Sequence, residues 1–220
     1  MKPNLSRRPI QASTLTDVLI VIVTLALLAA LFLPALVRGP KRGSGASCIF
    51  NLKQVGLAFR MWSHDHNDLF PWQVSTNQGG SKEFSGGREV FRHFEAISYE
   101  LNSPKVLKCP SDPNRSRADY FTNFSNQNIS YFIGLNSSIS ADPAKVLTGD
   151  RNLKLNGVVV KTPLVAWTTN QVLGWTKEIK DAGSLVFSDW SARIATTELL
   201  TRSLRKSGIP TNYFAVPVVP

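Results

Sequence analysis

Thr14-Leu15-Thr16-Asp17 followed by VLIVIVTLALLAALFLPALV, residues 18–37, is the stretch on which the organisation of the chain turns. Asp17 is the last charge before twenty consecutive uncharged residues. Wound as a helix rising about 1.5 Å per residue, such a run is about 30 Å long, the thickness of a bilayer's hydrocarbon core. A secretory signal has a shorter apolar core, about 7 to 15 residues, with small residues at its end. Here Phe32, Leu33, Pro34, Leu36 and Val37 stand in that place. The run is apolar on every face, unlike a helix that lays one stripe on a core. It therefore predicts a helix embedded in a membrane, with Pro34 kinking it. Lys2, Arg7 and Arg8 precede it and Arg38, Lys41 and Arg42 follow, so the balance of positive charge leaves its orientation tied.

Outward from this helix, Gly39-Pro40-Lys41-Arg42-Gly43-Ser44-Gly45 reads as a helix-breaking hinge. Cys48, Leu52, Val55, Phe59 and Trp62 then recur at spacings of three and four, the stripe of an amphipathic helix packed on a globular body. Residues 63–87 are polar and glycine-rich and predict a loop. A second helix is expected over 89–101, and strands over 129–135, 157–161, 163–168, 185–188 and 192–196. A last helix starts near Thr196, with Glu198 in its first turn, and stops at Gly208 before Pro210. Helices followed by short antiparallel strands make an α+β order. Thirteen prolines and fourteen glycines in 220 residues exclude a coiled coil or a plain helical bundle.

The chemistry-bearing residues are sparse. His64-Asp65-His66-Asn67-Asp68 is the densest polar cluster, and its donors suit a transition metal. Asp65-x-Asn67 is a fragment of a calcium loop, but the glycine and closing glutamate of that loop are missing. A turn capping the preceding helix, without metal, is the expectation. There is no nucleophile elbow, His-Glu-x-x-His or phosphate-binding loop, so no enzyme activity and no cofactor are predicted. Cys48 and Cys109 either pair or remain thiols. Paired, they close a loop of about 60 residues, a restraint of about 4 kcal/mol in the chain-entropy account. The net charge is +10, and residues 38–220 carry 22 Lys and Arg against 14 Asp and Glu. No basic run exceeds two residues, so a generic basic surface is expected over a nucleic-acid partner.

Ala12-Ser13-Thr14-Leu15-Thr16-Asp17 and the apolar run after it resemble the N-terminal signature of type IV pilins and type II secretion pseudopilins. Further segments also resemble that family: Asn51-Leu52-Lys53-Gln54-Val55-Gly56-Leu57-Ala58, Leu107-Lys108-Cys109-Pro110-Ser111-Asp112 and Thr148-Gly149-Asp150-Arg151-Asn152. The resemblance implies a prepilin leader over 1–12, cut by a prepilin peptidase between Ala12 and Ser13. It implies a transmembrane assembly helix over 13–38, the hinge at 39–45, and an exported body over 46–220. Thr14, Leu15 and Asp17 would belong to the assembly contact, the carboxylate pairing with a neighbouring subunit's terminal amine. The chain departs from the family at Ala12, usually Gly, at Ser13, usually a methylated Phe, and at Asp17, usually Glu. At Ser188-Asp189-Trp190-Ser191, relatives often have a Gly where Trp190 stands. Trp takes a positive φ only at a cost, so a different turn is expected.

The resulting expectation is an α+β pilin-like protein with a long hydrophobic stem. It is read as a structural subunit of a pilin-like or secretion pseudopilus fibre, with the membrane, other subunits and prepilin peptidase as partners. It would sit in the bacterial inner membrane as a single-pass protein with its body outside. The alternatives are a single-pass anchored binding protein that does not polymerise, and a DNA-binding minor pilin.

Overall fold

The computed structural model describes the backbone over residues 15–37, 43–139, 145–176 and 182–219, and the side chains of the same residues except 31–37 and 43–45. The chain divides into two compact units, Met1–Lys41 and Arg42–Pro220. In the first, the described element is helix α1 (Leu15–Val37).

The second unit is built on an antiparallel sheet of six strands. The strands, in chain order, are β1 (Tyr131–Gly134), β2 (Val146–Asp150), β3 (Leu153–Leu155), β4 (Val158–Val159), β5 (Leu164–Thr168), β6 (Leu173–Trp175), β7 (Ala182–Phe187), β8 (Ala192–Thr196) and β9 (Thr211–Ala215). The large sheet runs β5-β9-β1-β2-β7-β8, and a smaller sheet runs β4-β3-β6. Helices α2 (Gly43–His64), α3 (Phe91–Glu95), α4 (Ser98–Leu101) and α5 (Thr197–Lys206) complete it.

Successive residues of a strand face opposite sides of a sheet, and here that alternation divides two cores. Tyr131, Ile133, Leu147, Val186 and Ala215 belong to the core that contains Leu52, Val55, Phe59 and Trp62 of α2. Their neighbours Phe132, Val146, Leu185, Phe187 and Phe214 belong to a second core with Trp167, Trp175, and Leu200 and Leu204 of α5. The body is therefore layered. α2 and the loops over 70–128 cover one face of the large sheet, and α5 with the small sheet covers the other.

The α2 stripe is fully buried: Cys48, Leu52, Val55, Phe59 and Trp62 are each at most 3% exposed. Gly56 sits on the same helix because a Cβ there would come within 2.9 Å of Val186 Cγ1 on β7. A helical glycine costs about 1 kcal/mol relative to alanine, and here it lets helix and sheet approach. α5 starts where its cap predicts: Thr196 is the N-cap, its hydroxyl accepting from the Leu199 N–H at 3.3 Å.

Several expectations are corrected. The fold is α+β with antiparallel sheets, but the long membrane-spanning stem is overturned. Among the described residues no helix is long and apolar enough to cross a membrane. The single-pass inner-membrane placement with an exported body falls with it, as does the secretion assignment that depended on that placement. α1 continues through Pro34, where a kink was expected, as far as Val37. Of the hinge expected over 39–45, residues 43–45 belong to α2, which begins at Gly43; residues 38–42 lie outside the described residues.

The helix expected over 89–101 is two short ones, because Ile97 leaves helical geometry (φ −99°, ψ 20°) as its side chain is buried. β2, β3, β6 and β9 were not foreseen. β2 and β6 carry Gly149, Asp150 and Gly174, poor strand formers that pairing with neighbouring strands overrides. The turn at 188–191 is also corrected: Trp190 does adopt a left-handed backbone, φ 66°. Its N–H donates to Phe187 O at 2.9 Å, and the Phe187 N–H donates to Ser191 O at 3.0 Å. Its ring lies edge-on to Phe70, centroids 6.2 Å apart, and Arg60 sits 5.6 Å from its centroid.

Candidate assembly surface and buried polar clusters

α1 is the most apolar surface in the described chain. Every large apolar side chain between Val18 and Leu28 is at least half exposed, and Leu15 at its start is 88% exposed. Thr24 Oγ1 donates within the helix to Val21 O at 2.9 Å. Asp17 lies in the first turn, where a carboxylate faces the unpaired amides at a helix start. Each Val, Leu or Ile contributes about 1.5 to 3 kcal/mol on full burial, so α1 carries a large unspent drive to associate. Of the residues expected at the leader cut and assembly contact, Leu15 and Asp17 lie on this helix. Ala12, Ser13 and Thr14 lie outside the described residues.

The body holds its polar groups in sealed pairs. Cys48 and Cys109 form a disulfide with Cα atoms 5.0 Å apart, tying the start of α2 to the segment after Pro104–Leu107. Close by, Asp112 accepts from Arg151 Nε and Nη2, both at 2.8 Å. Burial alone would raise the Asp112 pKa, but the Arg151 hydrogen bonds and charge outweigh it and hold the carboxyl below its ordinary range. Asp150, on central strand β2, accepts from the Ser184 N–H at 2.6 Å, while its other oxygen has no partner. Burial pushes its pKa up to about 6, against the opposing Ser184 bonds and with a smaller push from Asp112. In the loop layer, Ser81 Oγ and His93 Nδ1 are 2.7 Å apart, both fully buried. Burial lowers the His93 pKa to about 4, so it is neutral near pH 7. A serine and a histidine at this distance resemble a nucleophile and base, but neither reaches solvent, and the pair instead locks the loop before Lys82–Phe84 onto α3.

The His64–Asp68 cluster ends α2. The His66 ring stacks on Trp62, centroids 3.6 Å apart, with Nδ1 2.7 Å from Trp62 O. Asn67 and Asp68 both take positive φ, and the Asp68 N–H donates to Ser63 O at 2.9 Å. Among the described residues no group of three or more His, Cys, Asp or Glu converges as a metal site. His64, Asp65 and Asp68 line an open groove with Arg60 and Trp190 instead.

Sequence reading missed the Ser81–His93 and Asp150–Ser184 pairs, since neither has local spacing to betray it. It also missed a gathering of cations over 105–117, where Lys105, Lys108, Arg115 and Arg117 stand against Asp112 alone. Counting charge over a window of thirteen residues would have found it.

No family model, no curated protein and no solved structure matches the chain.

Proposed function

We propose that the chain is a structural subunit of a pilin-like fibre that polymerises through α1, after a prepilin peptidase removes residues 1–12 between Ala12 and Ser13. The observation that carries this reading is the apolar surface of α1, whose large apolar side chains from Val18 to Leu28 are all at least half exposed. The resemblance of residues 12–17 to the prepilin signature agrees with it. Helices of this kind associate by burying side chains against copies of themselves, and the body then decorates the assembly. The disulfide and the layered core make that body a stable load. The reading assigns the chain no reaction.

The test is crosslinking of the full chain in detergent-free buffer, beside an Ile20→Glu/Leu27→Glu variant whose two charges fall on one face of α1 at a spacing of seven. The expected result is a ladder of oligomers for the parent and monomer for the variant, with the same far-UV spectrum of the body. A parent chain that stays monomeric, or a variant that still forms ladders, overturns the reading. N-terminal sequencing of the assembled protein should begin at Ser13; a chain beginning at Met1 overturns the cleavage step.

A further inference from the structure

The body carries a cationic groove independent of α1. Asn51 of α2, Val106 and Pro110, and the four cations Lys105, Lys108, Arg115 and Arg117 line an open depression of about 540 Å³ with no acidic residue in its wall. The sequence separates these charges with Pro110, Asp112 and Pro113. The fold brings them together because the disulfide at Cys109 holds the segment against α2, and because Asp112 turns inward onto Arg151. Asp112 is thereby removed as a counter-charge to the groove.

Arg115 is the fixed point of the site. Its Nε donates to Ile129 O at 2.9 Å, Nη1 to Asn114 O at 2.9 Å and Nη2 to Pro217 O at 2.6 Å. Three carbonyls orient the guanidinium without neutralising it. Burial, and then the Arg151 charge, lower its pKa to about 10, and Asp112 opposes this only in part; near pH 7 it stays charged. Arg117 is exposed and has no ion-pair partner among the described residues. Lys108 Nζ reaches only Pro110 O, at 3.5 Å. Lys105 pairs with Asp119 at 3.3 Å, both partners largely solvated, a contact that contributes little and that a stronger anion displaces. Tyr120, the next residue in the chain after Asp119, is 74% exposed.

We propose that this groove binds a single strand of nucleic acid, its phosphates on the four cations and a base on Tyr120. A rigidly held guanidinium flanked by flexible cations suits successive phosphates along a backbone. An exposed tyrosine next in the chain to Asp119, the residue that pairs with Lys105, offers the stacking face that a strand of bases uses and a sulfated or carboxylated polysaccharide does not need. The inference does not rest on the fibre reading.

The test is fluorescence anisotropy of a labelled oligo-dT twenty-mer against the full chain carrying Ile20→Glu/Leu27→Glu, so that self-association adds no multivalency. Binding should weaken with salt at a log–log slope of about −2 to −3, roughly 0.7 for each of up to four neutralised phosphates. Lys108→Ala/Arg117→Ala should flatten that slope by about 1.4 and weaken binding about tenfold at low salt. Arg202→Ala/Lys206→Ala, which removes the same charge from the exposed face of α5, should leave both unchanged. Arg115 is left intact because it holds three carbonyls. Tyr120→Ala should weaken the oligonucleotide about tenfold and leave dextran sulfate, a polyanion without bases, unaffected. Equal losses from the groove and α5 pairs overturn the groove. Dextran sulfate binding as tightly as the oligonucleotide, with Tyr120→Ala neutral toward both, overturns nucleic acid as the ligand.

Discussion

α1 and α2 are helices of nearly equal length, 23 and 22 residues, and they solve opposite problems. α1 is apolar all round and none of its described side chains is buried. α2 is far more polar, yet its five-residue stripe is sealed between the sheet and the loop layer. Hydrophobic content therefore does not decide which helix makes a core; the placement of apolar residues on one face does. α2 gives the body its stability, and α1 is the surface on which the proposed assembly would form. Substitutions of equal size on the two helices should separate these roles.

The largest effect is expected at the centre of the α2 stripe. Phe59 meets Phe70, Trp72 and Phe94 at centroid distances of 6.4, 5.4 and 5.8 Å. Phe59→Ala should destabilise the body by about 3 to 5 kcal/mol, read as a lower urea midpoint. Leu19→Ala on α1 should leave that midpoint unchanged while weakening crosslinking. If both variants shift the midpoint alike, α1 is part of the body's core and the contrast between the helices fails.

The disulfide tests how α2 is held at its start. Cys48→Ser/Cys109→Ser opens a loop spanning a sequence separation of 61, which restrains the unfolded chain by about 4 kcal/mol. The same loss should follow reduction of the parent with dithiothreitol, and the double variant should be insensitive to it. A variant as stable as the parent would mean the α2 packing alone fixes this segment.

These outcomes bear on how much of the fold is legible in the residues themselves. The α2 stripe was legible because spacings of three and four have one helical meaning, and α5 because Thr196 and Glu198 mark its first turn. β8 was legible at its full extent, Ala192–Thr196. β2 and β6 were hidden, because Gly149, Asp150 and Gly174 read as turn residues until their partners supply the pairing. Trp190 misled for a related reason: its left-handed backbone is unfavourable locally, and only its contacts with Phe70 and Arg60, far away in sequence, compensate. The apolar run of α1 was legible as apolar, but its extent as a membrane crossing was not. The cationic groove was invisible as a run, since a disulfide and an inward-turned Asp112 assemble it.

The two covers of α2 should also respond oppositely to acid. His93 lies in the loop layer, and burial lowers its pKa from 6.5 to about 4. As pH falls from 6.5 to 4 the unfolded chain takes up this proton first, so stability falls with acid. Asp150 lies in the sheet, and burial raises its pKa from 3.8 to about 6. Between pH 3.8 and 6 the folded chain keeps a proton that the unfolded chain has lost, so stability falls as pH rises. Each contributes about 2 kcal/mol across pH 4 to 6, with opposite sign. The groups facing Asp150 are Tyr131, paired opposite it on β1, and Asp112 and Arg151, which share a small cavity with it; Asp112 is held below its ordinary range and Tyr131 is pushed above its own, so neither titrates over that window. The parent should therefore be nearly flat in urea stability from pH 4 to 6, and Asp150→Asn should rise by about 2 kcal/mol over the same range. A variant as flat as the parent would show that Asp150 does not hold its proton in the fold.

The smallest effect concerns the outer edge of what covers α2. Trp190 gains a ring contact with Phe70 and a cation–π contact with Arg60, the latter about 0.5 to 1 kcal/mol at a partly exposed site. Against this stands a left-handed backbone at φ 66°, which costs a non-glycine residue about 1 kcal/mol. Trp190→Ala loses the contacts and keeps the strain, whereas Trp190→Gly loses the contacts and the strain together. The glycine variant should therefore be the more stable of the two by about 1 kcal/mol in urea, the reverse of the alanine preference in a helix or strand. An alanine variant at least as stable as the glycine one would place this turn outside the left-handed region, and the aromatic contacts would then have no strain to offset.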